Sequence, residues 1–215
     1  PLVLQLKLPN ELKRLRIDRL FNAGFTAPIR CPCPSVTVFH DLQHKRHPEY
    51  FRWFDLPPWR FFLWMSAKRS TVLIAVSDAT RDDLLRYYHL RPEKIRVAPH
   101  GVEGEFFDIG KEHRHTEPFL LCVSTLHPHK NLERLVRAFA RFREEQPQFR
   151  LVLTGMRGFH TQIIEKLVNE LGLKSAVEIT GWISRVDLYR LFETAHAFVY
   201  PSTFEGFGMP VLEAM

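Results

Sequence analysis

The order of elements along this chain predicts an α/β fold with parallel sheets, divided between two domains. Three observations carry that prediction. Short apolar or β-branched runs alternate with segments of helical period, which builds βαβ units rather than hairpins. Between residues 103 and 118 the alternation gives way to a polar, charged stretch without periodicity, read as an interdomain linker. The loops after several strands carry histidine, lysine or glycine, at the strand ends where open α/β sheets gather ligands. The expected domains are therefore 1–102 and 119–215, and 215 residues suffice for two small ones.

The first 35 residues are the least informative. Asn10 to Leu20 places apolar residues at 12, 15, 17 and 20 among basic ones, predicting an amphipathic helix that runs into a strand. Ala27 to Pro34 is a proline-punctuated loop. Ser35 to His40, SVTVFH, is β-branched and aromatic and reads as a buried strand with His40-Asp41 at its carboxyl end. His40, His44 and His47 stand at i, i+4 and i+7, a spacing that could hold zinc on a helix. Pro48 opposes that helix, and a plain histidine cluster is the preferred reading. Tyr50 to Met65 is rich in tryptophan and phenylalanine around Pro57-Pro58 and could pass for an interfacial membrane segment. Because Pro58 to Lys68 is apolar on nearly every side, it is read instead as a buried helix. Thr71 to Val76 is the next strand, Ser77 the N-cap of a helix over Ala79 to Leu90, and Ile95 to Pro99 a further strand.

From Phe119 the alternation is regular. Strands are expected at FLLCVS, at Phe149 to Thr154, at Val177 to Thr180 and at Ala197 to Tyr200. Helices are expected over Asn131 to Gln146, over Ile163 to Leu171 before Gly172, and over Asp187 to Ala195 capped by Ser184. This is half of a doubly wound sheet. Its last strand leads into PSTFEGFGMPVLEAM. There Gly206 and Gly208 let the backbone approach a ligand closely, and Pro210 opens a helix whose free N–H groups suit an anion. Glu205 and Glu213 bracket the loop as acceptors for hydroxyl donors, a pair suited to a sugar or ribose beside a phosphate. In STLHPHKN, Lys130 stands at a helix start, where a lysine can act as a point charge for phosphate or simply be solvated.

Composition narrows the classes. Hydrophobic residues at 45% and aromatics at 13% exclude a disordered chain. The longest apolar runs fall short of the roughly 18 residues of a membrane-spanning helix. Cys31, Cys33 and Cys122 form neither an even disulfide set nor a C-x-x-C metal spacing, which fits a reducing, cytoplasmic setting. The net charge of +6 is uneven, with 18 Lys+Arg against 13 Asp+Glu in residues 1–112. Lys13, Arg14, Arg16 and Arg19 cluster there, either as a solvated helix face or as a contact for anionic headgroups at a membrane. No nucleic-acid motif accompanies the charge.

EGFGMPVLE, with its E-x7-E spacing, resembles the signature of the family 4 retaining glycosyltransferases, and four further segments resemble the family in order: HDLQHKRHPEYF, VSDATRDDL, VAPHGVE and STLHPHKNLERLVRAF. The resemblance covers nearly the whole chain. It implies the GT-B fold, two Rossmann-like domains, here both truncated, because family members normally extend beyond both ends. The implied reaction moves a sugar from a nucleotide-diphosphate sugar to a hydroxyl of a glycan or lipid-linked acceptor, with retained anomeric configuration. His40 would hydrogen-bond the donor sugar, Glu205 would orient its hydroxyls and Lys130 would contact the diphosphate. Glu213 would accept from the ribose. The amides of Gly206, Phe207 and Gly208 would add to the charge stabilisation, and Thr125 and Trp182 would line the nucleotide, Trp182 either stacking on the base or packing in the core. Many members carry an arginine just before the lysine; here that loop offers Thr125 and His127. No D-x-D sequence occurs to hold a divalent ion, so neither metal nor cofactor is expected beyond the donor itself. A non-catalytic nucleotide-sugar-binding module is the alternative. A GT-B phosphorylase is disfavoured because nothing suggests a pyridoxal phosphate site.

Overall fold

A computed structural model describes residues 3–112 and 118–215. The chain forms two compact units. One comprises the residues up to His100 together with Glu205–Phe207; the other comprises Gly101–Phe204 and Gly208–Met215.

In the first unit a π-helical turn, Val3–Lys7, runs into helix α1, Leu8–Arg14. Strands β1 (Leu20–Asn22), β2 (Ser35–Phe39), β3 (Val72–Ala75) and β4 (Ile95–Val97) form one sheet in that spatial order. Every pair is parallel, with Thr37 opposite Leu73 and Ile74 opposite Arg96. Helices α2 (Gln43–Arg46) and α3 (Leu56–Arg69) lie between β2 and β3, and α4 (Asp78–Tyr88) lies between β3 and β4. The core joins Phe39 and Leu73 of the strands to Leu63 of α3 and to Leu84 and Tyr88 of α4. Ser77 caps α4 as expected, its hydroxyl accepting from the Thr80 N–H at 3.1 Å. Helix α1 is shorter than its apolar spacing suggests. Arg16 turns left-handed at φ 51°, closing the helix and leaving Leu15 exposed.

Helix α3 forms where the sequence predicts a helix, but the expectation that it is buried is wrong. Its buried residues are Leu63, Ser66 and Ala67, whereas Trp59, Phe61 and Trp64 are exposed. The reason is a polar seam of small residues. The Ser66 hydroxyl accepts from the Ala27 N–H at 2.9 Å, and the Ser70 and Thr37 hydroxyls pair at 2.7 Å. Small side chains turn inward against these partners, which leaves the rings on the opposite side of the helix.

In the second unit the chain runs through helix α5 (Gly104–Glu112), β5 (Phe119–Val123), α6 (Leu132–Glu145), β6 (Arg150–Thr154) and α7 (Thr161–Glu170). It continues through β7 (Val177–Gly181), α8 (Arg185–Thr194), β8 (Ala197–Phe198) and α9 (Met209–Ala214). The sheet is parallel in the order β7-β6-β5-β8. Leu151 and Leu153 of β6 pack with Val136 and Phe139 of α6 and with Ile164 of α7 in the largest core cluster. Ser184 caps α8 as predicted, accepting from the Asp187 N–H. The stretch 103–118, expected to be irregular, contains α5, and this helix is part of the second unit. Phe106 anchors it, with its ring edge-on to Phe192 and Tyr189 at 5.3 and 5.1 Å. Residues 113–117 of that stretch lie outside the described residues.

Candidate active site

The second sheet reverses its winding between β5 and β8. At such a switch point the loops leaving the two strands diverge, and ligands bind in the crevice outside their carboxyl ends. Lys130 stands there, in a 3-10 turn Pro128–Lys130 on the loop after β5. Asn131, left-handed at φ 56°, then redirects the chain into α6. The loop after β8 is laced to the same turn. The His129 carbonyl accepts from the Thr203 N–H at 2.9 Å and from the Ser202 hydroxyl at 3.2 Å, and the Asn131 amide donates to the Pro201 carbonyl. The Lys130 ammonium donates to the Tyr200 hydroxyl at 3.4 Å and lies over the Tyr200 ring. The lysine is thereby held at the switch point by the segment that leads to Glu205.

Thr125 lies half-buried on the loop after β5, its carbonyl accepting from the His127 N–H. This loop crosses the start of the loop after β6 closely enough that a Cβ on Gly155 would sit 2.3 Å from the Ser124 carbonyl oxygen. His127 packs edge-on against Phe159, and its pKa is lowered by burial, then by the nearby charges of Lys130 and His160. A cleft of about 320 Å³ opens at the carboxyl ends of β5, β6 and β7, lined by Val123, Thr154, Trp182 and Arg185 among others. Trp182 is 77% exposed, which removes the core-packing alternative and leaves its ring free to face a ligand.

Arg185 belongs to a network that the sequence did not reveal. Its guanidinium and the Tyr189 hydroxyl both donate to the Glu103 carboxylate. The two partners lie more than 80 residues from Glu103, and no local spacing signals them. Glu213, on α9, is half-buried. Desolvation raises its carboxyl pKa; Arg185 opposes that rise and Glu103 adds to it.

Of the remaining predicted residues, all but Gly208 lie in the first unit. His40 follows β2, with its Nε2 2.8 Å from the Ala23 carbonyl and its Nδ1 3.3 Å from Nε2 of His100. A carbonyl only accepts, so the neutral His40 ring carries its proton on Nε2 and accepts from His100 at Nδ1. The two rings stack 11° from parallel. Glu205–Phe207 packs on the same strand ends. The Gly206 carbonyl accepts from the Ser77 hydroxyl at 2.5 Å and from that of Thr80 at 3.3 Å, and Phe207 sits edge-on to His100. A Cβ at Gly206 would lie 1.7 Å from the His40 carbonyl oxygen, so this position admits only glycine. Gly208, at φ 90°, uses the other freedom of that residue to start α9. Glu205 is half-buried.

The three histidines of the i, i+4, i+7 spacing turn to different partners. Nε2 of His44 meets the Tyr88 hydroxyl at 2.8 Å in the core, and Nδ1 of His47 meets Glu49. Among the described residues no cluster of three or more metal-ligating side chains forms.

A parallel sheet with a lysine and glycine loops at its strand ends, preceded by a second parallel α/β unit, defines the GT-B class. Family models agree: "Glycosyltransferase Family 4" matches residues 1–106 and "Glycosyl transferases group 1" matches residues 105–215. The chain belongs to these group 1, family 4 glycosyltransferases. It is 31% identical over 181 residues to the O-antigen chain mannosyltransferase RfbU of Salmonella typhimurium, covering 84% of this chain and 49% of that one. It is 27% identical to the O-antigen chain mannosyltransferase B of Escherichia coli over 84% of this chain and 50% of that one. The chain thus spans about half the length of the curated relatives it matches. Among solved structures, WaaG, described as a glycosyltransferase involved in lipopolysaccharide biosynthesis, matches with a TM-score of 0.71 at 21% identity, over 95% of this chain and 59% of that one. Anabaena Alr3699/HepE in complex with UDP and glucose matches with a TM-score of 0.67 at 24% identity, over 85% of this chain and 50% of that one. At these identities the structural matches establish the fold.

Proposed function

We propose that the protein transfers a sugar from a nucleotide-diphosphate sugar to a hydroxyl of a glycan or lipid-linked acceptor, retaining the anomeric configuration and without a metal ion. The observation that carries this reading is Lys130, tied to the loop after β8 at the switch point of the second sheet. The leaving group is a nucleoside diphosphate, so catalysis chiefly requires fixed positive charge and donors where its charge develops. Lys130 supplies the charge, and the amides of Gly206, Phe207 and Gly208 supply donors. Trp182 stacks on the base, Thr125 lies beside the nucleotide and Glu213 accepts from the ribose hydroxyls. Its raised pKa keeps a proton more readily than a free carboxylate, so this contact is strongest toward neutral and alkaline pH. His40 and Glu205 hold the donor sugar. For His40 to reach a sugar hydroxyl, its Nε2–H must exchange the Ala23 carbonyl for that hydroxyl, which keeps the tautomer already present. The names of the curated relatives favour mannose as the transferred sugar. We place the reaction on the cytoplasmic side, with the nucleotide sugar as the only cosubstrate.

The deciding experiment is turnover of nucleotide-linked mannose in excess EDTA. Full turnover supports the reading; activity that returns only with added magnesium or manganese contradicts its metal independence. Nucleotide binding without transfer to any hydroxyl acceptor would favour the non-catalytic binding module.

A further inference from the structure

We propose that Ser77 is a positioning residue for sugar transfer: its hydroxyl fixes the peptide between Gly206 and Phe207, and with it the placement of Glu205 beside His40. This role rests on the transfer reading proposed above. Glu205–Phe207 belongs to the first unit, although the chain on either side of it belongs to the second. The segment lies in no helix or strand, and the start of α4 holds it. The Ser77 hydroxyl donates to the Gly206 carbonyl at 2.5 Å while its oxygen accepts from the Thr80 N–H at 3.1 Å. The buried Thr80 hydroxyl lies 3.3 Å from the same carbonyl and 3.2 Å from that of His40. Two hydroxyls three residues apart thus join the loop to the end of the strand that carries His40.

A helix cap does not require the second of these bonds. Capping uses only the serine oxygen, and the proton could equally serve water. Its 2.5 Å contact with the Gly206 carbonyl is at the short end for an O–H···O bond. The peptide is planar and trans, so holding the Gly206 carbonyl toward Ser77 turns the Phe207 N–H to the opposite side, away from α4. That amide is one of the donors assigned to the leaving diphosphate, and Glu205 stands one residue before the fixed peptide. A donor already oriented needs no reorganisation when charge develops in the transition state. Gly206 admits the close approach to His40 but, as glycine, leaves its own backbone loose. Ser77 supplies the restraint that the loop lacks.

The test separates the two uses of one hydroxyl. Ser77→Asp keeps the cap, because an ionised carboxylate accepts from N–H groups, but it cannot donate to a carbonyl. Ser77→Thr keeps both uses and Ser77→Ala neither. In the whole protein, Ser77→Asp should leave the melting temperature near that of the parent. It should lower kcat for GDP-mannose or UDP-glucose, read as nucleoside diphosphate released, at least about ten-fold, the worth of one hydrogen bond. Ser77→Thr should retain turnover, and affinity for the nucleoside diphosphate alone, assigned to Lys130, should not change. The bond itself is read without activity. Isotope labelling of glycine carbonyl carbons and phenylalanine nitrogens gives NMR signals from the peptides Gly24-Phe25, Gly158-Phe159 and Gly206-Phe207. Only the last should move in Ser77→Asp and Ser77→Ala; the Ser77→Ala signal decides the bond even where Ser77→Asp does not fold. A Gly206 signal unmoved in Ser77→Ala would overturn the proposal. So would a loss of turnover in Ser77→Ala that Ser77→Asp does not share, which would reduce Ser77 to a helix cap. If the unsubstituted protein turns over neither nucleotide sugar, the transfer reading falls and this role with it; normal turnover in Ser77→Asp removes the role alone.

Discussion

Lys130 is set apart from an ordinary first-turn lysine by what holds it, the Tyr200 hydroxyl and ring, supplied by the loop that carries Glu205. Lys130→Ala should weaken nucleoside diphosphate binding by about 1.5–3 kcal/mol, as for a charge-assisted contact. Unchanged affinity by calorimetry would remove its role. His100 is a second residue-scale lever: the Ala23 carbonyl puts the His40 proton on Nε2, and a His100 Nε2–H donating to Nδ1 reinforces that tautomer. His100→Phe keeps the stacking but removes the donor. It should lower kcat about ten-fold, the worth of one hydrogen bond. Nitrogen NMR should then report a mixed His40 tautomer; an unchanged tautomer would show that the Ala23 carbonyl suffices. His44 gives a pH dependence. Burial lowers its pKa from 6.5 to about 4, with Lys45 and Arg60 adding to the fall. Between those values the unfolded chain binds more protons than the folded one. Stability is therefore complete above about pH 6.5 and declines as pH falls toward about 4, by up to about 3 kcal/mol. Urea midpoints across that range that stayed flat in the parent, or fell equally in His44→Phe, would contradict this. Of these residues, His40 and Lys130 had a legible placement, because the apolar strand before each marks the loop on which it stands. The roles of His100, Arg185 and Glu103 were not legible, because their partners arrive through tertiary contacts that no spacing encodes.

At the scale of elements, sequence patterning located the strands because buried parallel strands read as apolar runs whichever face is considered. It failed at α3 and α5 for opposite reasons. In α3, hydrophobic character was taken for burial, whereas Ser66 and Ala67 pack inward and the rings stay outside. In α5, high charge was taken for irregularity, yet Phe106, with Ile109 beside it, docks the helix among Tyr189 and Phe192. Phe106→Ala should destabilise the second unit by about 3–5 kcal/mol, measured by denaturant midpoint. A loss below about 1 kcal/mol would mean that α5 is not an integral part of that unit. The glycine loop was legible in kind, since a chain approaching another backbone needs glycine, but the partner of Gly206 was not. Gly206→Ala places a methyl group against the His40 carbonyl and must displace the loop. Nucleotide-sugar turnover should fall far more than the melting temperature does; equal turnover would show that the loop geometry is not required.

For the whole molecule, the proposed function requires that the switch point of the second sheet bind a nucleoside diphosphate through fixed protein charge. Family membership and fold place this chain among glycosyltransferases, and the relatives are about twice its length, so binding is best tested before transfer. The measurement is the shift in melting temperature caused by UDP and by GDP in excess EDTA, on the whole protein and on Lys130→Ala. A ligand that binds only the folded state stabilises it by RT ln(1 + [L]/Kd), which at saturation amounts to several degrees. Such a shift is expected for one of the two nucleotides, retained in EDTA and largely lost in Lys130→Ala. No shift with either nucleotide, or a shift that Lys130→Ala leaves intact, would contradict it.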